Sequence, residues 1–384
     1  MLINSENKLK ITHNIRNYPQ LFTSFYSSVR VLLKLQSFSS IKSITSTIIR
    51  DIRSISYNGK PIECFYFEDR KKKSDKAIIL IPGFSREGFT DNRLFTLAYV
   101  LASEGYRIFL PKIFRTINYK IDRKFYENIN IGLKILLKKL IDYKVGILVF
   151  HYSAPAVIKA LGRVENLSNL RFLFFIGGCF DLYAHFRNVI MRNFKRKRID
   201  DGIDINQRFN RLLFLNSFKK ELGIKLSPSI QSVVLSFLKG NIAKGLQEYR
   251  YLSDNEKNLF LSFYNGEDSV YYNYFKPNQE SLMNILANLS TSGEDFKSKV
   301  PFFLLHCIND GLISYEQSMH FYKKIVKYYR NVYLCTTSIL DNELKFYKLW
   351  KNPGEWGKEI FRLSKVIMLA ESFYDPMTML EGSK

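Results

Sequence analysis

The residue with the most chemical promise is Ser153, in the stretch VFHYSAPAVIKAL, Val149 to Leu161. An apolar run, GILVF, leads to it, and an Ala- and Val-rich helical pattern follows. A serine at a strand-to-helix junction can do one of two things. It can be a nucleophile for acyl transfer, which requires a base to take its proton. Or it can cap the helix, its oxygen accepting a backbone N–H of the first turn. The residues by themselves leave both readings open. Other chemistries find less support. The five histidines are scattered and none has metal-ligand spacing. The cysteines Cys64, Cys179, Cys307 and Cys335 lie far apart and form no CxxC pair. They read as small buried residues in a reducing compartment, the cytoplasm, not as a disulfide framework or a zinc site. GFSREG at Gly83–Gly88 lacks the Lys-Ser/Thr ending of a phosphate-binding loop. No metal and no cofactor are expected.

The elements that must position such a serine can be read from periodicity. AIILI ends in Pro82-Gly83, RIFLP and VGILVF follow with helical patterns between them, and RFLFFIGG, PFFLLHCIND and NVYLCTTSI complete the set. Strands apolar throughout, alternating with helices, predict a mostly parallel sheet covered by helices on both faces. Residues 183–296 interrupt the alternation with a largely helical segment. That segment predicts a cap or lid over the carboxyl ends of the strands, where such sheets bind ligands. Residues 1–55 are basic, Ser-rich and nearly free of acids, with apolar residues at helical spacing through LFTSFYSSVRVLLKL. They predict a helical extension packed on the domain, with peripheral membrane contact as an alternative. The domains expected are therefore 1–55 as extension, 56–182 with 297–384 as core, and 183–296 as cap.

The chain has 384 residues, 46% of them hydrophobic, and a net charge of +23. It has ample material for a core, and no apolar run reaches the length of a membrane span. The charge is spread through a Lys-rich composition. Its two denser clusters, Arg70–Lys73 and Arg192–Arg198, carry no signature of a nucleic-acid module, so no nucleic-acid partner is expected.

Four short stretches together resemble the α/β-hydrolase fold, in a bacterial branch of serine hydrolases. They are IPGFSREG, then DNR at Asp91–Arg93, then VLASEGYRIFLP, and GGCFDL at Gly177–Leu182. The resemblance covers about residues 56–372, cap included. It implies a nucleophile on a G-x-S-x-G turn, here H-Y-S-A-P, with His151 and Pro155 in place of the two glycines. It implies Ser153 as nucleophile, an oxyanion hole from the backbone N–H groups of Phe84 and Ala154, and Asp310 as the triad acid. His306, in HCIND, is then structural. The histidine is expected in the loop after the last strand, where the matching stretch TSILDNE places Asn342. Asparagine has no usable basic pKa and cannot take the serine's proton. His320, the only histidine after Asp310, falls in a predicted surface helix. His151, or Asp341 through a water, would have to stand in as base. Two functions follow from the resemblance. One is a serine hydrolase of the carboxylic-ester type with weakened catalysis. The other is an inactive relative that binds a small acyl-like or apolar ligand, or a protein partner, in the same pocket.

Overall fold

The computed structural model describes residues 47–84 apart from 58 and 73, residues 90–113, 118–191, 201–291, 296, 299–338 and 353–374, and positions 28, 30–32 and 34 of an N-terminal helix. Eight strands form one sheet in the order β1-β2-β4-β3-β5-β6-β7-β8. They are β1 (Ile48–Tyr57), β2 (Lys60–Asp69), β3 (Lys76–Ile81), β4 (Arg107–Pro111), β5 (Lys144–Phe150), β6 (Leu170–Ile176), β7 (Phe302–Cys307) and β8 (Val332–Thr337). From β4 to β8 neighbouring strands run parallel, and β2 pairs antiparallel with both β1 and β4.

Alternation along each strand divides the core into two layers. Ala77, Ile79 and Ile81 of β3 join Val145, Ile147 and Val149 of β5 on one face. Ile78, Leu80, Leu148 and Phe150 join the other. Burial on both faces is why these strands read as continuous apolar runs. The covering helices are α1 (Asn92–Ser103), α2 (Arg123–Lys139), α3 (Ala154–Leu161) and α4 (Leu182–Ile190), with α10 (Glu316–Ile325) and α11 (Pro353–Ser372) after the cap. The segment expected as a cap holds α5 (Asp201–Phe218), α6 (Pro228–Leu238), α7 (Ile242–Tyr249), α8 (Asp254–Asn265) and α9 (Gln279–Leu289). No helix among the described residues is long and apolar enough to cross a membrane.

One boundary differs from expectation. β1 begins at Ile48, inside the stretch assigned to the N-terminal extension. Tyr57 pairs with Lys60, and Gly59 just before Lys60 has φ 73°. Positive φ beside a strand end suits glycine, which has no Cβ to strain there.

Ahead of the hairpin, Val31 and Leu32 are buried, and Lys34 Nζ donates to Glu104 Oε1 at 2.6 Å and to Ser103 Oγ at 2.7 Å. Arg30 pairs with the same Glu104. This helix thus docks on the end of α1. Beside it, the Tyr106 hydroxyl donates to Glu371 Oε1 at 2.7 Å. Burial pushes the Glu371 carboxyl up to about 7, against the lowering effect of Tyr106 and Lys76. A carboxyl raised in the folded state contributes stability below its unfolded pKa, and that contribution is lost as pH rises through the folded value. Glu371→Gln, which keeps an acceptor for Tyr106, is therefore expected to stabilise the protein by about 3 kcal/mol at pH 8 and to change little at pH 4. Urea unfolding at the two pH values checks this. An equal effect at both would contradict it.

Candidate functional site

The residue that follows β5 directly is His151, and it carries φ 48°. Few residues with a side chain occupy this region, and histidine tolerates it better than most. Tyr152 and Ser153 complete a short 3-10 turn, and α3 starts at Ala154. The frame of the strand-to-helix turn is therefore two residues earlier than expected. The sequence reading centred it on Ser153; the structure centres it on His151. Ser153 has ordinary helical angles, φ −77° and ψ −14°. It is fully buried, and its hydroxyl donates to the Pro82 carbonyl at 2.6 Å. It makes no capping bond to α3, so the N-cap alternative does not describe it. The physical reason is the end of the strand. β5 pairs with β6 through Phe150, so the chain must turn at residue 151.

The other expected residues fall as follows. The Ala154 N–H, assigned to an oxyanion hole, donates to the His151 carbonyl and closes the 3-10 turn. The same carbonyl accepts from Cys179 N at 3.1 Å. Phe84 follows the Pro82-Gly83 turn as expected, but its ring is buried against Phe125 and Tyr152. Gly83 presses on the turn itself. A Cβ there would lie 2.9 Å from His151 Nδ1 and 3.0 Å from the Phe150 carbonyl. Asn342 and Asp341 lie outside the described residues. His320 is exposed on α10.

Asp310 does come to the turn. It is 2% exposed, in the loop after β7. Its Oδ1 accepts the backbone N–H groups of Leu312 (2.7 Å) and Ile313 (3.0 Å). Oδ2 has no hydrogen-bond partner. His306 Nε2 is 3.5 Å from that oxygen, but it is 3.0 Å from the Ile313 carbonyl, which can only accept. The Nε2–H is therefore spent on Ile313, and His306 Nδ1 meets Ser318 Oγ at 2.7 Å. His306 is buried, with both ring nitrogens engaged. Burial pushes the Asp310 carboxyl up, but His306, His151 and the Ile313 N–H outweigh it and hold it below its ordinary value.

His151 faces Asp310 across Gly177. A Cβ on Gly177, which has φ 59°, would lie 3.0 Å from Asp310 Oδ2 and 3.4 Å from His151 Nε2. His151 keeps partial exposure, but its Nε2 is buried and has no partner. Burial lowers its pKa to about 4, helped by the Arg93 charge and opposed by Asp310, so the ring is neutral at pH 7. Arg93 is held in turn by Asp91 through Nε at 2.8 Å and through the α1 N-cap at 2.9 Å.

Three residues that the sequence reading did not single out complete the surroundings. The Tyr152 hydroxyl donates to Asn210 Oδ1 at 2.6 Å and lies 2.7 Å from His185 Nε2. Its one proton goes to the amide oxygen, so His185 must donate from Nε2. Asn210 Nδ2 donates to the Leu312 carbonyl at 2.6 Å, and Gln207 Nε2 to the Gly311 carbonyl at 2.7 Å. Helix α5 is thus fastened across the Asp310 loop. At its other end, Asn216 Nδ2 donates to the Tyr119 carbonyl at 2.7 Å and Ser217 Oγ accepts from Ile121 N at 3.0 Å. Buried Gln207, Asn210 and Arg211, at helical spacing in QRFNRLLFLNSF, were the available signal: polar groups on an inward face need buried partners. Among the described residues no three His, Cys, Asp or Glu side chains gather to hold a metal.

No protein-family model matches the chain, and no curated protein matches its sequence. Solved structures do resemble it. A candidate hydrolase from Legionella pneumophila is 12% identical, with 88% of this chain and 90% of that one covered and a TM-score of 0.51. An esterase from Pyrococcus furiosus is 14% identical, with 84% and 92% covered and a TM-score of 0.42. Acylaminoacyl peptidase from Pyrococcus horikoshii is 13% identical, with a TM-score of 0.44; the match takes 91% of this chain and 45% of that one. The chain thus spans less than half the length of the peptidase it matches. At such identities the likeness is one of fold. Together with the eight-stranded, mostly parallel sheet, it gives this chain the α/β-hydrolase fold.

Proposed function

We propose that this chain with the α/β-hydrolase fold is a binding member of that fold, which holds a small apolar or acyl-like ligand at the His151–Asp310 centre and does not carry out acyl transfer through Ser153. The observation that supports it is the frame of the turn: His151 follows the strand, and the Ser153 hydroxyl is fully buried with its proton given to the Pro82 carbonyl. A serine nucleophile must present its oxygen to the substrate and pass its proton to a base. A backbone carbonyl cannot take that proton.

A second reading has an observation in its favour. Asp310 and the Pro82-Gly83 turn both lie against His151, as the acid and oxyanion loop of an esterase-type hydrolase would lie against its nucleophile. Ester turnover separates the two. Hydrolysis of p-nitrophenyl acetate and butyrate is expected to match the uncatalysed rate, in the wild type and in Ser153→Ala alike. The substitution is expected to cost about 1 kcal/mol of stability, for the lost bond to Pro82. An ester rate that disappears with Ser153→Ala would make the hydrolase reading the correct one.

A further inference from the structure

We infer that this chain has a second binding site, a cleft between the start of α4 and α10 that takes a small organic anion, an apolar body with one negatively charged group. The inference goes beyond the binding reading above and does not rest on it. The cleft has a volume of about 360 Å³, which falls within the range of small-molecule pockets. Phe180, Asp181 and Ala184 line it from the start of α4, and Gln317, Phe321 and Lys324 line it from α10. None of them belongs to the site described above.

The floor of the cleft asks for nothing polar. Phe180 and Phe321 stack there, with ring centroids 3.9 Å apart and planes within 3° of parallel. The backbone around them is satisfied within the protein. Phe180 N and Asp181 N donate to Gln317 Oε1 at 3.1 Å and 2.9 Å, and Gln317 Nε2 donates to the Asp181 carbonyl at 3.2 Å. Thr291 N donates to the Phe180 carbonyl at 3.0 Å. A polar group set on this floor would give up its water for no new bond, so the body of the ligand is apolar.

The rim, in contrast, offers charge. His320, Lys323 and Lys324 recur at helical spacing, so they share one face of α10, and all three line the cleft. Among the described residues neither lysine lies within ion-pair reach of a carboxylate. Asp181 on the other side is used by its own helix, its Oδ1 accepting from Ala184 N at 2.9 Å. Two lysines therefore face one capping carboxylate. A cation entering here would meet two like charges, whereas an anion gains from both. Both lysines also stand in the last turn of α10, where positive charge offsets the helix dipole. That role needs no cleft, and the variants below separate it from binding.

The test uses three probes with one apolar body, 2-naphthoate, the neutral 2-naphthamide and the cationic 2-naphthylmethylamine, with the full chain at pH 7. Binding is followed by the ring resonances of histidine-labelled protein, those of His320 assigned by their loss in His320→Gln. Naphthoate is expected to shift the His320 resonances saturably and to leave those of His151 and His185 in place. It is expected to bind about tenfold more tightly than the amide, and the amine more weakly still. With Lys323→Gln and Lys324→Gln combined, the preference for naphthoate over the amide is expected to vanish. With Lys323→Arg and Lys324→Arg it is expected to stay. Melting profiles confirm that both double variants fold. Should the glutamine variant not fold, salt is the second arm: going from about 0.01 M to about 1 M is expected to weaken naphthoate and to remove its advantage over the amide. Equal or tighter binding of the amide or the amine would overturn the inference. So would a preference that survives both glutamines or high salt, or His320 resonances that no probe moves. Shifts of His151 in place of His320 would put the ligand at the His151–Asp310 centre and overturn the second site.

Discussion

A Gly177→Val variant is expected to lose at least about 3 kcal/mol of folding stability, with Gly177→Ala losing about half of that. Two costs combine at this position. Gly177 has φ 59°, where an L-residue is strained by its own backbone, and a β-branched side chain more so. In addition, a Cβ there would stand 3.0 Å from Asp310 Oδ2 and 3.0 Å from His151 Cδ2. Neither neighbour can easily retreat. Asp310 is fixed by two backbone N–H groups, and His151 is fixed by the turn at the end of β5. Chemical denaturation of the three proteins measures the effect. Unchanged stability in the valine variant would mean that His151 and Asp310 do not converge on Gly177.

Stability is expected to fall on acidification, by about 2 kcal/mol between pH 7 and pH 5. Burial lowers the His151 pKa to about 4 and the His185 pKa to about 3, from about 6.5 when unfolded. For a base lowered in the folded state, the unfolded chain binds the proton first. The stabilising contribution is present above about pH 6.5 and is lost as pH falls toward the folded values. The two histidines together cost about 4 kcal/mol over this window. Glu371, raised to about 7, works in the opposite direction and returns about 2 kcal/mol as pH falls. The Glu371→Gln variant removes that return, so its loss between pH 7 and pH 5 should be about 4 kcal/mol. His151→Phe should halve the slope in that background. A Glu371→Gln protein equally stable at both pH values would show that neither histidine is buried neutral.

Much of the architecture was legible because the sheet is buried on both faces. AIILI, VGILVF, RFLFFIGG and PFFLLHC are runs that only such strands need, and all became strands at those places. The hairpin of β1 and β2 was less visible. Arg50, Asp51 and Arg53 on an exposed edge strand broke the apolar pattern that marks the other strands.

The site was half legible. Asp310 and the Pro82-Gly83 turn follow strand ends that the periodicity fixed, and both lie near His151. The positive φ of the turn falls on His151, two residues before Ser153, and residue type alone did not signal that. The end of the apolar run at Phe150 was the better guide, since the residue after the strand must take the turn. The Tyr152–His185–Asn210 chain could not be read at all. Its members are far apart in sequence, and only the docking of α5 on the Asp310 loop brings them together. Asn342 lies outside the described residues.

The most direct test is therefore fluorophosphonate labelling of the purified full chain, read by intact mass and peptide mapping. The probe reacts with an activated serine and needs no knowledge of a substrate. The account predicts no adduct on Ser153, because its hydroxyl is buried and bonded to the Pro82 carbonyl. An adduct that maps to Ser153 and vanishes in Ser153→Ala would contradict it and return this serine to the role of nucleophile.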